Sequence, residues 1–159
     1  MEEFTVTRTN RLIMVSIAFA GILSTQPAIS QITQSLSEAP AIGGYSPVSY
    51  FSKNIAERGS PEFAVEHDGS VYYLTSVDQI TEFKKNPDKY RPRHKSCPYS
   101  LAFGKVLPLD PTNFKIIGDS LLLFHISDDD NKLLLWNASE ISEDELMRRA
   151  DANMFRLDF

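Results

Sequence analysis

The sequence predicts an α+β fold, with a small antiparallel sheet built from two β-hairpins, short helices packed against that sheet, and a signal peptide in front. Three observations lead to this class. Apolar and polar residues alternate on both sides of a turn at Asp68-Gly69, and a second pair of apolar runs flanks a turn at Gly118-Asp119. Between these two pairs, apolar residues recur at helical spacing after Ser76.

Residues 1–30 are typical of a secretory signal peptide. Two arginines precede an apolar run at 12–23, and small residues stand at the recognition positions before a predicted cleavage after Ser30. Because the run is shorter than the ~20 residues that span a bilayer, membrane attachment would occur only through an uncleaved leader. Residues 31–40 form a polar linker, and export of the chain predicts a periplasmic or secreted protein.

The stretch 63–90 predicts a hairpin followed by a short amphipathic helix. The Asp68-Gly69 pair tolerates the positive φ values that a tight hairpin turn needs. Ser76 is a favourable N-cap, and Asp78 places a negative charge at the positive end of the helix dipole. The helix is expected to end at Pro87, because the proline ring cannot continue the hydrogen-bond ladder.

The second half of the chain predicts another hairpin. A short helical turn at 98–104 closes at a glycine, which tolerates the left-handed conformation common after helix ends. Two apolar runs at 114–117 and 121–124 then flank a turn. We expect this hairpin to pair with the first one in a single sheet.

Two further helices are predicted from their N-terminal signals. An acidic run at 128–130 with Asn131 offers an N-cap and acidic residues for a first helical turn. Ser142, with Glu145 three residues later, forms a capping box at the start of the last helix. These helices complete the layer that we expect to cover the sheet.

Composition and charge narrow the possible functions. The 159 residues provide one domain, at 41–159, after the linker. A net charge of −5 and a pI near 5.2 argue against a nucleic-acid partner, which needs a clustered basic face. The sequence contains no Gly-rich phosphate loop, no G-x-S-x-G, no H-E-x-x-H and no paired CxxC. A binding domain is therefore favoured over an enzyme, although enzymatic activity stays open.

Several short motifs occur in a fixed order along residues 41–153. They include Gly44-Tyr45-x-Pro47-Val48-x-Tyr50-Phe51, Phe83-Lys84-x-Asn86-Pro87-x-Lys89-Tyr90, Cys97-x-Tyr99-x-x-Ala102-x-Gly104-Lys105 and Ala150-Asp151-Ala152-Asn153. This ordered set resembles the YHS-domain family, in its exported single-domain branch. The chain departs from the usual family pattern at Ser46, where an aspartate is common, and at Phe114, where a tryptophan is common.

The resemblance implies a binding domain, and members of the wider family are often presumed to bind metal through paired cysteines that this chain lacks. His94 and Cys97 stand three residues apart, a spacing that can bring a nitrogen and a thiolate to one transition-metal ion such as copper or zinc. Two ligands do not complete a site. A third ligand could come from His67 or His125, but nothing in the sequence brings either of them to His94 and Cys97.

Cys97 also supports other interpretations. As the only cysteine, it cannot form an intramolecular disulfide. Arg93 and Lys95 can favour its thiolate, which would indicate a thiol-dependent redox or catalytic protein. A free cysteine can equally be a small buried hydrophobe. A protein-interaction module of the cell envelope is a further alternative.

Tyr45, Tyr73 and Tyr99 are candidates for a pocket that holds a flat small ligand near the cysteine. Neighbouring strand residues point to opposite faces, so at most one of Tyr72 and Tyr73 reaches such a pocket. The sequence therefore predicts an exported domain that binds a metal ion or a small ligand beside Cys97, His94 and these tyrosines.

Overall fold

The computed structural model of the protein describes residues 39–157. Within that range it contains six α-helices and three two-stranded antiparallel sheets, which confirms the predicted α+β class. The predicted signal peptide at 1–30 and most of the linker at 31–40 lie outside the described residues. In the described range, no helix combines the length and the apolar character that crossing a membrane requires.

The elements follow one another closely along the chain. They are a 3₁₀ turn (Ala41–Gly44), α1 (Pro47–Lys53), β1 (Ser60–His67), β2 (Ser70–Leu74), α2 (Val77–Lys85), α3 (Pro87–Tyr90), α4 (Pro98–Ala102), β3 (Phe114–Ile117), β4 (Ser120–Leu123), β5 (Ile126–Ser127), β6 (Asp130–Asn131), α5 (Lys132–Asn137) and α6 (Glu143–Arg156). Helix α1 was not expected from the sequence. It begins at Pro47 because a proline has the φ of a first helical residue and lacks an N–H that would stay unpaired there.

The first predicted hairpin and its helix are confirmed. β1 and β2 pair antiparallel around a turn in which Asp68 and Gly69 have φ values of 50° and 70°. Helix α2 begins where predicted, since the Oγ of Ser76 accepts a hydrogen bond from the backbone N–H of Gln79 at 3.2 Å. It ends at Lys85 with Asn86 as its C-cap, directly before the proline that was predicted to stop it.

We expect the Ser76→Ala variant to be less stable than the wild type by about 1 kcal/mol, because the N–H of Gln79 loses its cap. Thermal or urea unfolding measures this loss. Ser76→Asp is the matched control, since its carboxylate restores an acceptor at the same position. An unchanged unfolding free energy in the alanine variant would contradict the role of Ser76 as a cap.

The second hairpin forms as predicted, but it does not pair with the first. β3 and β4 make a separate sheet in the register Phe114 to Leu123. The expected single sheet is wrong because another segment occupies the edge of β4. Pro92 bridges Leu121 in parallel orientation, and the N–H of Arg93 donates to the carbonyl of Leu121 at 2.9 Å.

Strand β4 lies at the centre of the core and is buried on both faces. Leu122 packs in a cluster with Trp136 and Leu146, whereas Leu121 and Leu123 pack with Tyr50 on the opposite face. This arrangement follows from the alternation of side chains along a strand. The first hairpin packs with α1, α2 and α3 in a third cluster, with the members Val48, Val65, Tyr72, Leu74, Phe83 and Tyr90.

The last two helices begin close to their predicted positions. Asn131 caps α5, because its Oδ1 accepts from the N–H groups of Leu133 and Leu134. The expectation that the acidic run supplies the first helical turn is wrong, since Asp128 and Asp129 form the turn between β5 and β6 and Asp130 lies in β6. Ser142 caps α6 as predicted. Asn153 of α6 donates to the carbonyl of Leu101 in α4 at 2.7 Å. This contact holds α6 against α4.

Candidate functional site

A cleft of about 700 Å³ opens between the turns of the two hairpins. Asp68 and Ser70 line it from the first hairpin, Asp119 and Ser120 line it from the second, and the segment 91–95 lines it along its length. Small-ligand sites typically have volumes of roughly 300–1,000 Å³. The cleft is therefore the candidate binding site.

Three side chains form a hydrogen-bonded cluster at the wall of the cleft. The Nε2 of His94 lies 2.8 Å from Oδ1 of Asp151. Arg93 holds both oxygens of the same carboxylate, with Nε donating to Oδ1 at 3.0 Å and Nη2 to Oδ2 at 2.8 Å. Its Nη1 also donates to Oγ of Ser120 at 3.1 Å. The cluster thus ties the segment 91–95 to helix α6 and to the second hairpin.

The charges in this cluster determine which nitrogen of His94 carries the proton. The hydrogen bonds from Arg93 hold the pKa of Asp151 below its ordinary value, so its carboxylate is ionised and can only accept. Burial lowers the pKa of His94, although Asp151 acts in the opposite direction. The ring is therefore neutral near pH 7, with a proton on Nε2 and a bare acceptor at Nδ1.

This Nδ1 atom lacks a partner. His94 is 3% exposed, and Nδ1 is one of two buried side-chain polar atoms in the described chain without a hydrogen bond, the other being Oγ of Ser100. Buried polar groups are nearly always paired, and an unpaired one calls for an explanation such as an absent ion, water or ligand. Because His94 also lines the cleft, we identify it as the centre of the site.

We expect the protein to lose stability as the pH falls from about 7 to 5. The unfolded chain protonates His94 near the ordinary pKa of 6.5, whereas the folded state resists protonation to a lower pH. Between those two pKa values the unfolded state binds more protons, so the free energy of unfolding falls by up to about 1.4 kcal/mol per pH unit.

Urea unfolding across this pH range measures the effect. The carboxylates with lowered pKa titrate below their ordinary values, outside most of this range. The His94→Gln variant should therefore show a flatter profile than the wild type, and His125→Gln is the matched control. An equal slope in the wild type and in His94→Gln would contradict the assignment of His94.

The polarity of the cleft changes with depth. Arg91 donates from Nη1 to Oδ2 of Asp68 at 3.0 Å, and its Nε lies 3.2 Å from Oδ1 of Asp88. The side chains of these two aspartates are 74% and 73% exposed, whereas that of His94 is 1% exposed. The two carboxylates are therefore open to solvent, whereas the neutral imidazole is almost fully covered.

Cys97 does not line this cleft. It is fully buried at the start of α4 and packs with Leu101, Phe124 and Trp136. Its thiol makes no hydrogen bond to Nδ1 of His94, since that nitrogen has no partner. Among the residues that the structure describes, no group of three or more His, Cys, Asp or Glu side chains could hold a metal ion. The predicted pairing of Cys97 with His94 on one ion stays a prediction.

The three predicted tyrosines lie away from the cleft lining. Tyr45 packs under the guanidinium of Arg58, 4.3 Å from the ring centre. Tyr73 lies against the turn at Gly44. Tyr99 packs on the ring of Phe103, 5.1 Å between centroids. None of them lines the cleft beside His94, although Tyr99 packs against the apolar cluster that contains Cys97. A role for them in binding stays a prediction.

Sequence reasoning found His94 but missed its neighbours. Tyr72, and not Tyr73, lines the cleft, and burial raises the pKa of its hydroxyl. Arg93 was considered only for its charge near the cysteine. Asp151 lies 57 residues from His94 in the chain, so no local pattern reveals their contact. The only sequence signal that pointed to Asp151 was its place in the motif Ala150-Asp151-Ala152-Asn153.

A comparison of the chain with known proteins identifies no relative. No protein-family model, no curated protein and no solved structure matches the chain. The site is therefore interpreted from its own geometry.

Proposed function

We propose that the chain is an exported binding domain of the YHS type, which holds a small ligand in the cleft beside His94. One observation carries this proposal. His94 lines a cleft of suitable size, and the Nδ1 of its buried, neutral imidazole has no partner, while Asp151 fixes the opposite nitrogen as a donor. A ligand in the cleft that reached this buried atom could donate a hydrogen bond to it and would be oriented by it.

The proposal places the ligand at His94 and not at Cys97. A copper or zinc ion remains compatible with a single imidazole ligand whose other nitrogen is held by a carboxylate, as metal-bound histidines usually are. The second predicted ligand, Cys97, lies in an apolar cluster and does not contact Nδ1. The donor set therefore favours a small organic molecule over a metal ion.

The other functions have weaker support. A thiol-dependent enzyme needs an accessible thiol near an acid or base, and Cys97 is 0% exposed. A protein-interaction module is supported by single exposed apolar residues such as Leu134 and Phe155. Such residues are common on protein surfaces and do not define an interface.

Amide NMR of the purified protein tests the proposal. The titrated probes are a panel of uncharged and charged small molecules, Zn(II) and Cu(I). We expect at least one probe to shift amides of Ser70, Asp119 and the segment 91–95 together. Binding should weaken by about tenfold or more in His94→Gln, as for the loss of one buried hydrogen bond.

The Cys97→Ala variant separates the two candidate anchors. Because the cysteine does not line the cleft, this variant should bind the same probe with unchanged affinity. Binding that is lost in Cys97→Ala and retained in His94→Gln would overturn the proposal in favour of the thiol. The absence of any probe that shifts the cleft amides would also overturn it.

A further inference from the structure

Four apolar side chains are exposed at one end of the α4–α6 pair. Two of them follow α4 and two stand at the end of α6, and their exposed fractions are 47% for Phe103, 51% for Val106, 87% for Phe155 and 43% for Leu157. One exposed apolar residue defines no interface, whereas several that lie together mark interaction sites on many proteins. The placement of these four residues therefore decides whether they form a surface.

A single backbone atom joins the two segments that carry these side chains. The carbonyl oxygen of Leu101 accepts from the N–H of Gly104 at 2.8 Å and from Nδ2 of Asn153 at 2.7 Å. Gly104 lies within the turn 103–106, and the N–H of Leu157 donates to the carbonyl of Asn153 at 3.0 Å, one helical turn further on. The turn 103–106 and the last turn of α6 are therefore neighbours, and we call them together the α4–α6 end.

Two cations are interleaved with the apolar side chains of the α4–α6 end. Lys105 lies within the turn 103–106, Arg156 lies between the two apolar residues that end α6, and both are exposed. Within the described chain neither cation makes an ion pair, and residues 101–107 and 152–157 contain no acidic side chain. Because the whole chain has a net charge of −5, this local positive charge is not a property of the average surface. It favours an anionic partner at the α4–α6 end.

The combination of projecting apolar side chains and unpaired cations fits a lipid bilayer better than a protein partner. Phe155 projects almost wholly into solvent and can enter the boundary between headgroups and acyl chains, where surface-bound proteins bury their apolar residues. Lysine and arginine beside such residues are attracted to anionic headgroups, and each contributes to binding. A protein partner would need an acidic rim around an apolar centre of matching shape, whereas a fluid bilayer needs no matching shape.

We infer that the α4–α6 end binds the surface of an anionic lipid bilayer. The rings of Phe103 and Phe155 enter the acyl boundary, and Lys105 and Arg156 contact the headgroup phosphates. This inference does not depend on the ligand of the cleft. Because salt screens exposed charges, the contact should weaken as the ionic strength rises.

Amide NMR of the full-length protein with bicelles that contain a spin-labelled lipid tests the inference, since the label broadens only the amides that lie near the bilayer. The bicelles consist of phosphatidylcholine, with or without phosphatidylglycerol. Residues 1–38 contain an apolar run and two arginines, so contact is judged from the pattern of broadening along 39–157 and not from total binding. We expect the strongest broadening at 103–106 and 154–157, and more of it with phosphatidylglycerol than without.

A double variant tests the apolar part of the contact. Phe103→Ser combined with Phe155→Ser should weaken the contact by about tenfold or more, because the burial of one phenylalanine side chain has roughly this effect. Leu134→Ser combined with Leu135→Ser is the matched control, since both leucines are exposed on α5. The control should keep the wild-type pattern of broadening.

A second double variant tests the cations. Lys105→Gln combined with Arg156→Gln should weaken the contact with phosphatidylglycerol by about fivefold for each cation removed. Lys84→Gln combined with Lys85→Gln removes the same charge from exposed positions at the end of α2 and is the matched control. An equal effect of the two double variants would show that only net charge matters and would contradict the inference.

The wild-type spectra alone can also overturn the inference. Broadening that is spread evenly over the domain, or that is centred outside 103–106 and 154–157, would show that another surface or the N-terminal segment makes the contact. Chemical shifts at these amides that change with protein concentration in the absence of lipid would assign the α4–α6 end to a second copy of the chain. None of these results bears on probe binding in the cleft, which tests the proposed function separately.

Discussion

The Trp136→Ala variant is expected to lower the free energy of unfolding by about 3–5 kcal/mol. Trp136 is 1% exposed and packs edge-on against Phe124, with ring centroids 5.3 Å apart. Its Nε1 donates to Oε1 of Glu143 at 2.8 Å, at the first residue of α6. The substitution therefore leaves a cavity between β4 and the helices and removes a contact that positions the helix of Asp151.

Urea unfolding monitored by far-ultraviolet circular dichroism measures this loss. Leu134→Ala is the matched control, because Leu134 lies in the same short helix and is 64% exposed. We expect the control to change stability by less than about 0.5 kcal/mol. A loss below about 1 kcal/mol for Trp136→Ala would contradict the position of Trp136 at the centre of the core.

The Asp151→Ala variant is expected to reduce both stability and ligand binding. It removes two hydrogen bonds from Arg93 and the one from His94. Charged hydrogen bonds of this kind contribute roughly 1.5–3 kcal/mol each, and water replaces part of that where the carboxylate is partly exposed, so we expect a loss of about 2–3 kcal/mol. Without the carboxylate, the ring of His94 is free to carry its proton on Nδ1.

The binding measurement separates this effect from a general loss of structure. Affinity for any probe of the cleft should fall by about tenfold, the lower end of the effect that partners orienting a metal-binding histidine have. Asp144→Ala is the control on the same helix, at an exposed position in its first turn. Wild-type affinity in a folded Asp151→Ala protein would show that His94 does not need this orientation.

The parts of the fold that depend on local chemistry were predictable from the sequence. The turn at Asp68-Gly69, the cap at Ser76 and the cap at Ser142 each act within a few residues, and each forms as expected. The separation of the two hairpins was not predictable. It depends on the segment around Pro92, which has no strand pattern and yet occupies the edge of β4.

The site was only partly predictable for the same reason. His94 was recognised because its residue type and its spacing from Cys97 suggested a ligand set. Its neighbours come from distant parts of the chain, since Asp151 on the last helix contacts its ring and Asp119 in the second turn lines the same cleft. Cys97 attracted attention as the only cysteine, but its surroundings are apolar side chains from β4, α5 and α6.

The protonation state of His94 tests the central claim most directly, and long-range proton–nitrogen NMR of the imidazole ring measures it. We predict a proton on Nε2 and none on Nδ1 at neutral pH, with a titration midpoint below the ordinary 6.5 because the ring is buried. A neutral ring with its proton on Nδ1, or a midpoint at or above 6.5, would contradict the account. The first result would remove the bare acceptor on which the proposed site depends, and the second would contradict the burial of the ring.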